Sequence, residues 1–532
     1  MNFPKDLQYK MKRKIGRHIN NLRVVFMANR VLAKASKPTS AKPILFFKAT
    51  SGIDDLSWNS AFQVLTAWGL RLRGIPVEFF VCHHGMSLCI LGTDRDHVTK
   101  APPCATCTYQ SASIYAGFPT NKFNFHRDDE LAAAIKDLTV EELEIVEFQG
   151  VPLGKLVIPG LRWILRRHHL HNDTNTRFLF REYILSAWNI AQNLSTLLET
   201  KQPSAVVVFN GQFFPEATAR WVAMNKKIKV ISHEVGLRPM TAFFTEGEST
   251  AYPIHIPSDF KLSDEQNKKL DSYLEQRFKG NFTMGGIKFW PTIKGLDRSM
   301  LDEFSKYKSI IPVFTNVIFD TSQPHANTLF TDMFQWLDLV VKEAEQHPDT
   351  LFIIRAHPDE TRPNKTSLET VQDWFTRNNV DRVNNILFIP PNEFISSYEL
   401  ISLAKFVMIF NSTIGLEASL MGVPVLTAGR ARFTQIPTVF YPNSQQEYVT
   451  TLTQFLASDK ISVPTEFADN ARIFLYFQLF KSSLAFGEFL EASIEPTQST
   501  MKVFNPDQLV SSDSLNTIYA GLFENGDFLL DV

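Results

Sequence analysis

The stretch Leu351–Glu360 reads LFIIRAHPDE: four apolar residues, an arginine, an alanine, then a His-Pro pair. Pro358 biases His357 away from helical angles and holds it extended where an apolar strand would end. An imidazole fixed there can donate to a phosphate oxygen and steady the charge of a departing nucleotide. Arg355, two residues back, shares a face with His357 if the strand continues. Further on, Asn411, Ser412 and Thr413 separate the apolar FVMIF from the helix-like IGLEASLMG. Such side chains cap helices, and a helix start offers unpaired N–H groups and a dipole that favour an anion. Gly415 would let a phosphate or ribose approach closely, and Glu417 could accept hydrogen bonds from ribose hydroxyls. Asn316 and Arg430 end two further apolar runs, so the set is donor-binding in character. The bland alternative stands beside it: Ser and Thr begin many helices that bind nothing, and a His-Pro pair can be a loop feature.

These residues need a scaffold of strands that end together. From residue 43 short apolar runs alternate with amphipathic stretches: PILFFKAT, a helix over NSAFQVLTAWGLRLRG, then IPVEFFVC. The theme returns at SAVVVFNG, the helix PEATARWVAMNKK and IKVISHEVG. A second alternation runs from KSIIPVFTNVIFD through TLFIIRAHP, NILFIP and FVMIFNST to VPVLTAG. Strands alternating with helices predict parallel, doubly wound sheets. The expected fold is α/β and GT-B-like: two Rossmann-like domains facing a cleft, with ligands beyond the carboxyl ends of the strands. The boundaries expected are a basic helix over 1–40 and an N-terminal acceptor domain over 41–240 with a Cys-rich insertion at 82–107. An inter-domain region at 241–305 with a charged helix near 263–279, a nucleotide-donor domain over 306–460, and helices near 445–458 and 466–490 with a tail to 532 complete the chain.

FTNVIFD, IIRAHPDE and FNSTIGLEASLMGVPVLTAG together resemble the bacterial capsule polysaccharide biosynthesis proteins. Those are similar in turn to GT-B enzymes that transfer Kdo or sialic acid and carry a His-Pro and a Ser-Ser/Thr motif. The resemblance is best over 308–430 and weaker over VVFNGQFFPEATARWVAMNKKIKVISHEVG. It implies that His357 contacts the donor phosphate and that Ser412 and Thr413 are the phosphate-binding pair. The general base should come from the N-terminal domain; Glu234 and His233 in SHEVG are the first choice, and Asp54 and Asp55 the second. The acidic pair followed by Gly that marks the sialyltransferases is absent, which leaves the donor sugar and the base open. The activity so implied is inverting, metal-independent transfer of a sugar from a nucleotide-sugar donor to a glycan or lipid-linked acceptor, with no cofactor required. A teichoic-acid-type polyol-phosphate transferase, a sugar-nucleotide 2-epimerase and a non-catalytic capsule-assembly scaffold are the alternatives.

All four cysteines fall between 82 and 107. Cys82, Cys89, Cys104 and Cys107 could form a closed structural zinc site, or stay free thiols, or pair as disulfides. Asp94-Arg95-Asp96 could hold a divalent metal, although GT-B chemistry does not need one. The run RRHHLHND (166–173) reads as a solvated helix end or a site for an anionic acceptor. Residues 1–48 carry twelve Lys/Arg against Asp6 alone, and Leu7, Met11, Ile15, Ile19, Leu22 and Phe26 recur at helical spacing. Residues 5–34 therefore either lie on an anionic membrane or pack on the protein's own domain with a solvated basic face. A net charge of -1 over 532 residues excludes a general nucleic-acid binder. No apolar run approaches the ~20 residues that span a bilayer. A cytoplasmic protein, peripheral on the inner membrane face if the helix binds lipid, is the expectation.

Overall fold

The computed structural model describes residues 5–38, 40–50, 52, 53, 55–279, 294–363, 365–493, 495 and 497–532. Asp54 and most of the Gly-rich stretch at 279–286 lie outside them.

In the N-terminal domain the apolar runs, joined by the polar edge segment TNKF, become β1 (Ile44–Lys48), β2 (Val77–Cys82), β3 (Thr120–Phe123), β4 (Ala205–Phe209) and β5 (Lys229–Val235). They pair in parallel in the order β3-β2-β1-β4-β5. Side chains alternate across the sheet. Ile44 and Phe46 enter the core on one face, and Leu45 and Phe47 the core on the other. Being covered on both faces is what a nearly continuous apolar strand requires. The sheet then extends antiparallel through β6 (Thr241–Glu246).

The C-terminal domain repeats the plan with β7 (Ser309–Phe314), β8 (Thr350–Arg355), β9 (Ile386–Ile389), β10 (Val407–Ile409) and β11 (Val425–Thr427). All five are parallel, in the order β9-β8-β7-β10-β11. Both domains thus reverse direction between their first and fourth parallel strands, and a ligand crevice opens beyond the strand ends at such a point. The α/β, GT-B-like pair of doubly wound sheets expected from the sequence is the fold.

Three boundaries differ from expectation. Thr241–Glu246 is not inter-domain chain; it is a strand of the first sheet, paired with β5. The helix expected over 466–490 ends at Tyr476, continues as one wide turn to Lys481, and gives way to β12 (Leu484–Ala485). That strand returns to the first sheet beside β6. The tail then packs on the N-terminal domain, with Leu515, Ile518 and Leu522 of the helix Asp513–Phe523 in its core.

The basic helix α1 (Lys5–Lys34) packs on its own domain, but not through the expected stripe. Val24, Met27, Ala28 and Val31 are buried. Met11, Ile15, Ile19, Leu22 and Phe26 are exposed, at 46–58%. At ~100° per residue these five fall within about 80°, opposite the packed side. The packed face hides its polar residues by pairing them. Asn20 Nδ2 donates to Asp55 Oδ1 (2.7 Å) and the Ser499 carbonyl (2.9 Å), and Asn20 Oδ1 accepts from Met501 N–H (2.8 Å). Asn21 exchanges two amide bonds with Gln110.

Asn20→Ala would strand these partners in a buried site, so it should lower the unfolding free energy by about 1–3 kcal/mol, read from denaturant melts.

Candidate functional site

Side chains from both sheets meet beyond the carboxyl ends of the strands. On the N-terminal side, Glu234 sits at the end of β5. Its Oε2 accepts from Asn210 Nδ2 (2.7 Å) and its Oε1 from Val235 N–H (2.8 Å). Burial raises its pKa despite those bonds, with Asp320 of the other domain adding to the rise and Arg432 opposing it. Asn210, at φ +60°, and Gly211, at φ +83°, turn the chain just after β4. Asn210 also accepts from Gln212 N–H, which seats Gln212 at the seam.

On the C-terminal side, His357 follows β8 in extended conformation, φ -70° and ψ 130°, as Pro358 requires. Its Nδ1 accepts from Asp359 N–H (3.1 Å). That bond places the proton of the neutral ring on Nε2, a donor. Burial lowers the ring's pKa, while Asp359 and Asp320 pull it upward. Asp320 is kept ionised: burial opposes its charge, and Lys365, at 3.6 Å, together with Arg432 outweighs burial. Arg432 lies over the Tyr252 ring, 4.0 Å from its centre. Glu234 at the N-terminal strand ends and His357 at the C-terminal ones therefore both feel Asp320.

The predicted anion segment is adjacent. Asn411 N–H donates to Asn316 Oδ1 (3.3 Å), and Gln323 Nε2 donates to Asn411 Oδ1 (3.3 Å). Thr413 precedes the helix Ile414–Leu420, is exposed, and makes no capping bond with its side chain. Ser412 is buried. Arg430 is exposed, with its backbone N–H on the Ala326 carbonyl (3.0 Å).

Four expected roles do not survive in this geometry. Arg355 is buried and donates to the Ile395 carbonyl, so it braces the strand end rather than facing the cleft; burial lowers its pKa to about 10. Glu417 has both oxygens engaged, by Arg277 (2.6 Å) and by Tyr398 Oη (2.6 Å), leaving no acceptor aimed at a ribose. A Cβ on Gly415 would meet Ile409 Cδ1 at 2.4 Å, so that glycine serves helix–strand packing rather than ligand approach. His233 is fully buried and stacked on Phe244, and among the described residues both its ring nitrogens are unpartnered. Burial, and then Lys48, push its pKa down to about 3. Strand alternation turns it away from Glu234.

The cysteines line one pocket together without converging on a point. Cys104 and Cys107 stand on the helix Cys104–Ile114, Cys82 ends β2, and Cys89 lies in the loop between. Cys82 accepts from Gly85 N–H, and burial pushes its thiol up to about 12. Among the described residues, the group whose ligand atoms do converge is His168, His169 and Asp332. Asp94 pairs with Lys100 (2.8 Å) and closes its own turn onto the Asp96 and His97 N–H groups.

Sequence reading missed the contacts that cross the seam. His325 Nε2 reaches Glu248, Thr250 Oγ1 (3.0 Å) and Gln212 Nε2 (3.1 Å) of the N-terminal domain. Glu248 also pairs with Arg220 at 3.1 Å. Gln435 bonds the Tyr252 carbonyl (2.8 Å) and the Ile254 N–H (2.9 Å). Asn210 was detectable, since it ends a strand. His325 carries no such signal.

Residues 292–448 match the family described as capsule polysaccharide biosynthesis protein. The matched segment holds His357, Ser412, Thr413, Asp320 and Arg432, so the C-terminal half of the cleft lies within it. Protein FixF of Sinorhizobium fredii (strain NBRC 101917 / NGR234) is 28% identical over 235 residues, 42% of this chain and 48% of FixF. The chain thus spans about half the length of that relative. Among solved structures, the Thermosulfurimonas dismutans KpsC beta Kdo 2,7 transferase aligns at 14% identity over 60% of this chain and 88% of its own, with a TM-score of 0.31. UDP-GlcNAc 2-epimerase from Neisseria meningitidis bound to UDP-GlcNAc aligns at 13% identity over 81% and 98%, with a TM-score of 0.23. Scores this low carry no activity from one protein to another.

The loop that presents His357 is anchored by Glu360, which is fully buried. Its Oε1 accepts from Val371 N–H (3.2 Å), and among the described residues its Oε2 has no partner. Burial raises its pKa to about 8. A raised folded pKa on an acid gives stability that is present below about pH 4.5 and is lost as pH rises toward 8. Glu360→Gln should therefore gain melting temperature relative to wild type as pH is raised from about 5 to 8, measured by scanning calorimetry.

Proposed function

We propose that the chain is an inverting, metal-independent glycosyltransferase that moves a sugar from a nucleotide-sugar donor to a growing surface polysaccharide or glycolipid. The observation that carries this reading is the placement of Glu234 and His357 on opposite domains, both within the field of Asp320. The capsule-synthesis segment that supplies His357 supports it.

In this mechanism the nucleotide diphosphate binds the C-terminal strand ends. His357 Nε2–H and the hydroxyls of Ser412 and Thr413 donate to its oxygens, and Arg430 adds positive charge at the rim. The acceptor hydroxyl gives its proton to Glu234, whose raised pKa suits a base, and attacks the anomeric carbon. The bond to the diphosphate breaks as the new glycosidic bond forms. The charge left on the nucleotide falls on donors already in place, so no reorganisation accompanies the step. Asp320, balanced by Lys365 and Arg432, holds those cations beside the cleft.

The acceptor in this reading is lipid-linked, delivered from a membrane on which α1 lies. The exposed Met11, Ile15, Ile19, Leu22 and Phe26 supply the apolar face, and Lys12, Lys14, Arg23 and Arg30 flank it. No Asp or Glu occurs from residue 7 to residue 53, so anionic lipid fits this surface, while a second copy would oppose like charges. Arg17 and Asn20 tie the helix to the loop after β1, at the carboxyl end of the acceptor sheet.

Two tests follow. Among CMP-, UDP-, GDP- and CDP-sugars, one nucleotide class should raise the melting temperature, and His357→Ala should abolish the shift. With that donor and an acceptor, Glu234→Gln should cut kcat about 10²–10⁴-fold while the nucleotide still binds. The rate should climb with pH as Glu234 loses its proton. Turnover of donor to its epimer without acceptor would replace this reading with epimerisation. Absence of binding by any nucleotide to folded protein would defeat it. Separately, the full chain should co-sediment with phosphatidylglycerol vesicles. Leu22→Asp with Phe26→Asp should release it without lowering its melting temperature, because both side chains are exposed.

A further inference from the structure

A second constellation lies where the turn after the helix Leu153–Leu165 meets the C-terminal domain. His168 and His169 stand against Asp332, and one ligand atom from each lies within 4.8 Å of the others. His169 bridges two carboxylates: Nδ1 is 2.6 Å from Glu369 Oε1, and Nε2 is 3.5 Å from Asp332 Oδ2. The two oxygens of Asp332 have separate duties. Oδ1 caps the helix Met333–Gln346 through Phe334 N–H (2.7 Å) and Gln335 N–H (3.0 Å). Oδ2 turns toward His169, with Thr331 Oγ1 at 3.3 Å. Glu369 Oε2 accepts the backbone N–H groups of His168 (2.8 Å) and His169 (3.1 Å), which fixes the His-His turn.

The remaining member makes this more than an ion pair. His168 is 7% exposed, and among the described residues its ring has no hydrogen-bond partner. A cation at the convergence point would give that ring a partner.

We propose that His168, His169 Nε2 and Asp332 Oδ2 bind a divalent cation of the zinc type across the seam between the two domains. Two imidazoles and one carboxylate suit zinc better than calcium or magnesium, which take oxygen ligands. Ligands about 2.0–2.1 Å from a tetrahedral ion lie about 3.3 Å from one another, close to the separation of His169 from Asp332. Glu369 then takes the part of the carboxylate that orients a metal-bound histidine through its other ring nitrogen. The ion joins the N-terminal turn to a helix start of the C-terminal domain, and the fourth position is left to water. This site is independent of the transfer chemistry.

The full-length protein, stripped with EDTA and dialysed, is titrated with zinc chloride by calorimetry. One zinc per chain is expected, accompanied by a rise in melting temperature. His168→Ala and Asp332→Asn should each remove stoichiometric binding; asparagine can still cap the helix, so the second variant keeps the fold. Glu369→Gln should weaken binding about 10–100-fold. Cobalt(II) should give a visible spectrum that His168→Ala abolishes. No stoichiometric uptake would overturn the proposal. So would uptake that survives both His168→Ala and Asp332→Asn, or uptake lost only when Cys104 and Cys107 are changed to serine.

Discussion

The site depends on one contact across the domains: His325, from the segment after β7, set among Glu248, Thr250 and Gln212. Neither sheet makes a site alone. Each ends in polar residues that face a crevice, as doubly wound sheets do at the point where strand order reverses. The seam presses the two crevices together. Across that seam Glu234 lies within electrostatic reach of both Arg432 and Asp320. Gln435, bonded to the backbone at Tyr252 and Ile254, holds a second point of the same seam. The preorganisation that phosphate departure requires therefore resides in domain packing as much as in the His-Pro loop.

Charge is handled differently at the two faces of the cleft. The N-terminal face keeps Glu234 poorly solvated, so its basicity rises. The C-terminal face surrounds Asp320 with Lys365, Arg432 and His357, so that acid stays ionised. Two carboxylates in one crevice are pushed apart in pKa by burial on one side and by cations on the other, a pattern expected of distinct acid and base roles. Deeper in the N-terminal domain, burial lifts Glu216 to about 7 with Lys48 opposing the rise.

What the sequence disclosed follows from the physics of each signal. Parallel strands covered on both faces are apolar throughout, so VVVF and FIIR were legible as strands from composition alone. His357 was legible because proline fixes its backbone. Glu417 was misread because its partners, Arg277 and Tyr398, are 140 and 19 residues away and leave no local mark. His233 and Glu234 are adjacent in sequence and look equally available; only sheet alternation separates them. In α1 the apolar period was real, but it identified the outward face. The buried face contains Asn20 and Asn21, polar residues that are hidden by pairing with segments as distant as Met501. Thr241–Glu246 was taken for linker because one of its antiparallel partners, Leu484–Ala485, lies far along the chain and leaves no local mark.

A crystal structure of the protein with a nucleotide sugar would test the central claim most directly. The account predicts the diphosphate between His357 Nε2 and the Ser412–Thr413 hydroxyls, with the anomeric carbon facing Glu234 across the seam. A nucleotide seated on the N-terminal sheet, or a donor sugar turned away from Glu234, would contradict it.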